Sequence, residues 1–177
     1  MAACEFCEGG NNGVVNPKSP NSIGRVISLH LHPAESGNPL QSVNEIKVVE
    51  QKGIFGEPRY FGKISRRTGQ PSRRQVSLIE REQIAEHAAT SGLQSIAPGA
   101  VRANIETEGI DLIQLIGKRV KVGEAILFFY EGRTPCQQMD AICVGLRSLM
   151  ENNRQGVMAE VIQSGTIRLR DSISCES

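Results

Sequence analysis

The sequence predicts a mainly β fold with a few helices, an α+β protein whose strands form a small barrel. Three observations lead to this prediction. Short segments in which polar and apolar residues alternate recur along most of the chain. Only two stretches carry the apolar spacing of an amphipathic helix. Turns rich in glycine, proline, asparagine and serine separate many of these segments.

The 177 residues are the length of one ordinary domain, long enough to bury a sizeable core. Gly, Asn, Pro and Ser dominate residues 1–22, and apolar residues are scarce there, so we expect a flexible lead-in. The barrel domain is expected to cover residues 23–170, and residues 171–177 are expected to form a C-terminal tail.

Local patterns predict each strand. The alternation over residues 25–32 places Ile27, Leu29 and Leu31 on one inward face. Residues 124–131 form an almost continuous apolar run, which is typical of a central strand. Ser164 and Gly165 predict a tight turn between the last two strands. In chain order, the predicted strands cover 25–32, 43–50, 75–79, 101–107, parts of 112–122, 124–131, 157–163 and 166–169.

The first predicted helix follows the strand at 75–79. Ser77 and Glu80 have the spacing of a capping box, in which a serine hydroxyl and a glutamate carboxylate bond the first free N–H groups of a helix. Apolar residues continue at helical spacing through Ala88. Gly92 is expected to end this helix.

The second predicted helix begins beside a cysteine. Thr134 is a good N-cap, Pro135 fits the first helical position, and Gln137 completes a capping box, so Cys136 falls in the first turn. Unpaired backbone N–H groups, the helix dipole and nearby Arg133 would all favour the nucleophilic or metal-binding thiolate. The alternative is a small buried apolar residue, the commoner role of a single cysteine. Met139, Ile142, Cys143, Leu146, Leu149 and Met150 continue the helical spacing.

Composition excludes several classes of function. Twenty basic and nineteen acidic residues give a net charge of +1, so we expect neither nucleic acid nor a membrane as the main partner. No apolar segment is long enough to span a bilayer, and no secretory signal is recognisable, so a cytoplasmic location is expected. Five cysteines without a dense framework indicate reduced thiols. The motifs of P-loop, Rossmann and G-x-S-x-G enzymes are absent.

Three other groups of residues are candidate sites. Cys4 and Cys7 have the spacing of half a zinc site, but the sequence has no second half to complete it. His30 and His32 are expected to be ordinary strand residues. The basic cluster is expected to be a solvated loop, with an anion site as the sharper alternative. It consists of Arg66, Arg67, Arg73 and Arg74.

Four blocks, in order, resemble the MOSC domain, the module found at the C-terminus of molybdenum cofactor sulfurases and as stand-alone bacterial proteins. Four ordered blocks are far more specific than any single motif. The blocks are Lys52-Gly53-Ile54-Phe55-Gly56-Glu57-Pro58-Arg59-Tyr60, residues 101–111, Gly117 with 122–125, and Arg133-Thr134-Pro135-Cys136. One departure lies in the first block, where Glu57-Pro58 replaces the usual aspartate and the geometry that follows it.

The resemblance implies a closed or nearly closed mixed β-barrel with a cleft into which Cys136 points. In that family the cysteine of the R-x-P-C motif is proposed to carry sulfur as a persulfide or to ligate molybdenum, so Cys136 inherits both the catalytic and the metal-binding expectation. The residues assigned to the pterin and phosphate of the molybdenum cofactor (molybdopterin) are Lys52, Arg59, Arg102, Asn104 and Arg133. A structural contact remains the alternative for each of these five residues.

The leading hypothesis is therefore a protein that binds molybdenum cofactor or a precursor and carries sulfur or ligates molybdenum through Cys136, in cofactor maturation or delivery. A molybdenum-dependent reductase of N-hydroxylated compounds and a non-catalytic docking module are the alternatives. Sulfur transfer and molybdenum-dependent oxidoreduction are thus both open as enzyme activities. No pyridoxal phosphate site is expected, although family partners use that cofactor. The expected partners are a cysteine desulfurase or other sulfur donor, and a molybdoenzyme or cofactor-biosynthesis protein.

Overall fold

The computed structural model describes residues 23–176, so the expected lead-in over residues 1–22, with Cys4 and Cys7, lies outside the described residues. Within residues 23–176 the chain forms eleven strands and two α-helices, α1 (Arg81–Thr90) and α2 (Leu146–Leu149). Two 3₁₀ turns cover Ile113–Leu115 and Gln137–Met139. The strands are β1 (Gly24–Leu31), β2 (Gln41–Val43), β3 (Glu45–Val49), β4 (Gly53–Ile54), β5 (Val76–Glu80), β6 (Ile105–Glu108), β7 (Arg119–Val122), β8 (Ala125–Gly132), β9 (Val157–Gln163), β10 (Gly165–Arg168) and β11 (Ser172–Cys175).

Seven strands close into a mixed barrel, which confirms the predicted fold class. Their order is β11-β7-β8-β9-β5-β6-β1, and the barrel closes where β1 pairs with β11, with Gly24 opposite Ile173. Strands β5 and β6 are parallel, with Leu78 opposite Ile105, and the other pairs are antiparallel. A parallel pair needs a long crossover, which helix α1 and the loop after it supply. Strands β10, β3 and β4 form a separate small sheet.

Two apolar clusters hold the described residues together. The larger fills the barrel with side chains such as Leu29, Leu78, Leu127 and Phe129, each at most 1 % exposed. Each such side chain contributes roughly 1.5–3 kcal/mol when fully buried. The smaller cluster lies outside the barrel and joins β5 and α1 to the segment after Cys136. Its buried members are Ile79, Ile84, Ala88, Ile96, Val101, Ala103, Met139, Leu146 and Met150.

The inward-facing side chains of β1 are not the ones that the sequence predicts. The register of β1 against β6 shifts between Val26 and Ser28, and this bulge turns Ile27 outward. Val26 and Leu29 are therefore buried, whereas Ile27 is 37 % exposed. The strand predicted over 43–50 also begins differently, because β2 pairs with β1 and β3 pairs with β10 in the other sheet.

The predicted capping box of the first helix is wrong. Glu80 precedes α1 in an extended conformation and makes no side-chain cap bond, and Ser77 belongs to β5. The Ser77 hydroxyl bonds the Asn104 side-chain oxygen at 2.9 Å, so it is not available to a helix. The helix ends before Gly92 as predicted, with Gly92 at a φ of +70°.

The predicted second helix is also wrong. A 3₁₀ turn and α2 replace it, because Gly145 adopts a φ of 88°, outside the helical region. The Asp140 carboxylate accepts bonds from the backbone N–H groups of Gly145 and Arg147, both at 3.1 Å, which stabilises the break. Apolar residues at helical spacing are still buried, since Met139, Leu146 and Met150 are 0 % exposed.

Strand β11 lies within residues 171–177, which were expected to form a C-terminal tail. Strand β11 pairs with both β1 and β7 and so completes the barrel. The two strands before it do not form the expected hairpin, because β9 pairs with β5 and β8 whereas β10 pairs with β3. The strand predicted over 101–107 is shorter, since Val101 to Asn104 form a turn and the loop before β6.

Replacing Gly156 by alanine is expected to destabilise the barrel by roughly 3 kcal/mol or more. Gly156 has a φ of +73°, and an added Cβ would meet the Leu78 carbonyl oxygen and lie 2.7 Å from the Ile79 Cα atom. Urea unfolding measures the loss. Gly117→Ala is the matched control, because Gly117 also has a positive φ of +84° but has nothing within 4 Å of the added Cβ. We expect the control to lose only about 1 kcal/mol, and equal losses would contradict the packing argument.

Candidate functional site

A cleft of about 690 Å³ opens beside the end of β8. The loop after β1, the loop after β4, the end of β8 and the segment after it, α2 and the start of β9 all contribute to its lining. The residues are His32, Ser36, Arg59, Tyr60, Arg74, Arg102, Tyr130, Glu131, Gly132, Arg133, Thr134, Cys136, Gln137, Gln138, Met139, Arg147, Gln155 and Met158. These segments are far apart in sequence, so the barrel itself assembles the cleft.

Cys136 lies in the cleft with its side chain exposed. The alternative of a buried apolar cysteine is therefore wrong for this residue. The predicted capping box is wrong as well, because Cys136 has an extended backbone (φ −100°, ψ 167°) and precedes only a three-residue 3₁₀ turn with no side-chain cap bond. So short a turn has little dipole, so it supplies little of the thiolate stabilisation expected from a helix start.

Arg133 is held in the cleft wall by backbone carbonyls. Its guanidinium donates to the carbonyl oxygens of Arg102 at 3.1 Å, Gln155 at 3.3 Å and Val101 at 3.4 Å. Withdrawal from water, and then the positive charge of Arg74, lower the pKa of Arg133 to about 10, whereas a negative charge on Cys136 would raise it. At neutral pH the guanidinium is therefore still charged and acts electrostatically on the thiol.

The cleft is strongly electropositive. Glu131 is the single carboxylate among its lining residues, against five arginines: Arg59, Arg74, Arg102, Arg133 and Arg147. The guanidinium carbons of Arg59 and Arg74 lie 5.3 and 5.2 Å from the Tyr60 ring centroid. Ring faces attract cations, which helps to hold these like charges together. Such a site favours an anionic ligand.

Several buried polar atoms in the cleft wall have no hydrogen-bond partner among the described residues. They include Arg102 Nη2, Arg147 Nε and Gln155 Oε1. Buried polar groups are nearly always paired, so these atoms of the cleft wall are available to hydrogen-bond a ligand or an ordered water. Arg102 is also strained, because it has a φ of 60°. Its Nη1 donates to the Asn38 carbonyl at 2.8 Å, and this contact ties the loop after β1 to the cleft.

Asn104 is at the centre of a buried network beside the cleft. Its amide nitrogen donates to Glu57 Oε1 at 2.7 Å, and its side-chain oxygen accepts from the Ser77 backbone and hydroxyl. The same Glu57 oxygen lies 2.6 Å from His32 Nδ1. Because the Glu57 carboxylate occupies Nδ1, Nε2 is the His32 ring nitrogen that can contact a ligand. Glu57, the departure from the family pattern, is thus a buried structural acid that positions His32.

The structure brings together most of the predicted site residues. Cys136, Arg59, Arg102 and Arg133 line the cleft. Asn104 lines a small recess of about 20 Å³ that shares His32, Tyr60, Arg74, Arg102, Arg133 and Met158 with the cleft. Lys52 is exposed and is not part of the cleft lining. The Lys52 backbone carbonyl accepts a hydrogen bond from the Gly62 N–H at 2.8 Å. This turn contact is of the structural kind that was the alternative to cofactor binding.

Sequence reasoning missed several cleft residues. The basic cluster, as a possible anion site, pointed to Arg74, but in the structure its four arginines lie in different surroundings. Arg74 lines the cleft, whereas Arg73 bonds Glu160 at 2.7 Å and lies over the Tyr130 ring at 4.2 Å. Arg66 and Arg67 are exposed, as expected for a solvated loop. Tyr60 lies within the first of the four matching blocks but was not assigned to the site. No sequence pattern pointed to His32, Arg147 or Gln155.

Residues 23–176 contain no cluster of three or more His, Cys, Asp or Glu side chains with the geometry of a metal site. None of the helices in the same range is long and apolar enough to cross a bilayer.

Asn104→Ala is expected to lower the free energy of unfolding by roughly 2–4 kcal/mol, because it leaves the Ser77 N–H and the Glu57 carboxylate with fewer partners in a buried place. Urea unfolding measures the change. Asn38→Ala removes an exposed amide that bonds Glu35 at 3.2 Å and keeps the carbonyl that Arg102 contacts. We expect the control to stay within about 0.5 kcal/mol of the wild type. A similar small loss for Asn104→Ala would show that the network is dispensable.

Solved structures share this fold. The YuaD protein of Bacillus subtilis superposes with a TM-score of 0.71 at 19 % identity, over 85 % of this chain and 94 % of its own. YiiM of Escherichia coli gives 0.60 at 19 % identity, over 86 % and 70 % of the two chains. YiiM of Geobacillus stearothermophilus gives 0.67 at 14 % identity, over 87 % and 75 %. A comparison with curated proteins finds no match.

Membership in a family rests on the sequence itself. The family model of the MOSC domain matches residues 44–174, which is most of the chain and includes Cys136 and all five arginines of the cleft. This family is associated with binding of the molybdenum cofactor. The chain therefore belongs to the MOSC domain family.

Proposed function

We propose that the cleft binds molybdenum cofactor or a precursor and that Cys136 carries sulfur as a persulfide in cofactor maturation or delivery. One observation carries the proposal: an exposed thiol shares a cleft with five arginines and a single carboxylate. Reactive cysteines are found in partly exposed, electropositive surroundings of this kind.

The chemistry of the lining fits the cofactor. Its phosphate suits the guanidinium groups, of which Arg102 Nη2 and Arg147 Nε are buried without partners among the described residues. The polar edge of its pterin suits the unpaired Gln155 side-chain oxygen and the His32 ring nitrogen that Glu57 leaves free. When bound, the cofactor supplies molybdenum and its redox chemistry. The chain itself supplies the anion site and the thiol.

Sulfur uptake needs only a persulfide donor. The Cys136 thiolate attacks the outer sulfur of a donor persulfide, and a new S–S bond forms as the donor's S–S bond breaks. The donor leaves as a thiolate with the bonding electron pair, and the transferred sulfur keeps its proton. The positive charge of Arg133 stabilises the attacking thiolate, and exposure of Cys136 allows the donor to reach it.

The reductase alternative uses the same residues in another way. There Cys136 would remain bound to molybdenum, and the cofactor would stay with the protein through purification. Metal and pterin analysis of protein from a molybdenum-replete host separates the alternatives, because a carrier or delivery protein releases its cofactor and a reductase retains it. The docking-module alternative requires neither ligand nor thiol.

Cys136→Ser is expected to abolish sulfur uptake. Incubation with a cysteine desulfurase and cysteine should add the mass of one sulfur atom to the wild type, and dithiothreitol should remove it. Cys143→Ser is the control, because Cys143 packs against the smaller apolar cluster and is not part of the cleft lining. A wild type that gains no sulfur from any persulfide donor, or a serine variant that still gains it, would reject Cys136 as the carrier.

Arg147→Gln is expected to weaken binding of molybdopterin, released from a purified molybdoenzyme, by roughly ten- to hundredfold, the equivalent of one charge-assisted hydrogen bond. Fluorescence titration of the pterin measures the affinity. Arg119→Gln, on the exposed face of β7, is the matched control and should bind as the wild type does. If Arg147→Gln and Arg119→Gln bind molybdopterin equally well, Arg147 does not contact its phosphate.

A further inference from the structure

Positive charge is concentrated in one segment of the chain. Residues 51–74 contain seven basic residues and one acidic residue, a net charge of +6, so the rest of the chain carries −5. The single acid, Glu57, is only 2 % exposed and is bound to His32 and Asn104. The outward face of this segment therefore presents cations without exposed acids of its own. Its exposed cations are Lys52, Lys63, Arg66, Arg67, Arg73 and Arg74.

The same segment exposes apolar side chains. Phe55 is 62 % exposed and Ile64 is 53 % exposed. The Phe55 ring packs edge to face against the half-buried Phe61 ring at a centroid distance of 5.5 Å. Large apolar side chains rarely cluster on a surface without a partner, and aromatic residues and arginine are enriched at protein interfaces. We call the exposed part of residues 51–74 the basic-aromatic surface.

The basic-aromatic surface adjoins the cleft that holds Cys136. Arg59, Tyr60 and Arg74 of this segment line the cleft itself. Arg67 and Arg73 also line a groove of about 700 Å³ that shares Arg74, Tyr130 and Glu131 with the cleft. A protein that bound the surface would thus be positioned at the opening through which Cys136 is reached.

We propose that the basic-aromatic surface docks an acidic protein that delivers sulfur to Cys136. This inference rests on the proposed function, which requires another molecule to supply the sulfur. Complementary charge steers such an encounter, and the exposed Phe55 ring provides an apolar contact.

A protein fits better than a nucleic acid or a membrane. To the charge of the segment the adjoining cleft adds three arginines, Arg102, Arg133 and Arg147. Even with these three counted, the remainder of the chain, onto which an extended polyanion would continue, has a net charge of −5. A compact acidic patch matches the segment alone. The exposed aliphatic Ile64 has no stacking face for a base, and Phe55 is packed against Phe61.

The test compares a protein donor with a small one. Glutathione persulfide transfers sulfur by the same reaction but needs no docking, whereas a desulfurase with cysteine must approach the opening. The docking variant combines Phe55→Ser, Arg66→Glu and Arg67→Glu, none of which lines the cleft. The control combines Leu169→Ser, Lys118→Glu and Lys121→Glu, which make the same changes of charge and polarity at exposed positions elsewhere.

We expect the docking variant to take sulfur from glutathione persulfide at the wild-type rate and from its own cell's cysteine desulfurases at least about tenfold more slowly. The wild-type rate with the desulfurase should fall steeply with added salt, and the variant should lose this dependence. The control variant should match the wild type with both donors.

Each other outcome rejects the docking surface in a distinguishable way. If the wild type accepts sulfur from neither donor, the proposed function fails and the docking role fails with it. If it accepts sulfur from glutathione persulfide alone, or if the docking variant matches it with the desulfurase, only the docking role fails. Loss of binding to single-stranded RNA or to anionic vesicles, with unchanged uptake from the desulfurase, would assign the surface to that other partner.

Discussion

The cleft depends on the buried amide of Asn104. This side chain joins three separate segments, because it bonds Ser77 in β5, the His30 carbonyl at the end of β1, and Glu57 in the loop after β4. The backbone adds two more links, from His30 N–H to the Asn104 carbonyl at 2.8 Å and from Asn104 N–H to the Ser77 hydroxyl at 3.1 Å. A buried polar group that loses its partner costs more than a good bond contributes, so these three segments have little freedom to separate.

The way in which the arginines are held preserves the charge of the cleft. Arg133 and Arg102 are bound by backbone carbonyls, which orient a guanidinium without cancelling its charge. Elsewhere the fold uses carboxylates, as in the pairs of Arg81 with Glu106 and Arg73 with Glu160. The lowered pKa of Arg133 records the cost of withdrawing the guanidinium from water beside other cations. An anion in the cleft would offset that cost, which is why an anionic ligand fits the site so well.

The sequence was most informative where a residue pattern and its cause are both local. Alternation predicted β1, a continuous apolar run predicted β8, and Arg133 and Cys136 were singled out from the residues next to them. The errors have long-range causes. Ser77 fails as a cap because Asn104, 27 residues later, takes its hydroxyl. Ile27 points outward because of a bulge against β6. His32, Arg147 and Gln155 reach the cleft only through the closed barrel, so no spacing in the sequence could have grouped them.

Because the predicted helix after Thr134 is absent, a helix start cannot explain a reactive thiol at Cys136, but the thiol is still exposed in the cleft. A helix start would have stabilised a thiolate through its own N–H groups, but a three-residue turn supplies little of this. What surrounds Cys136 instead is a cleft lined by five arginines, in which the thiol stays exposed. Water around an exposed thiol screens nearby charges and so weakens their stabilising effect. A sulfur carrier nevertheless needs an exposed thiol, because its sulfur must be reached by a donor and then by an acceptor. A permanently bound metal ligand has no such need. The exposed thiol can thus be reached by both a donor and an acceptor, as the proposed carrier role requires.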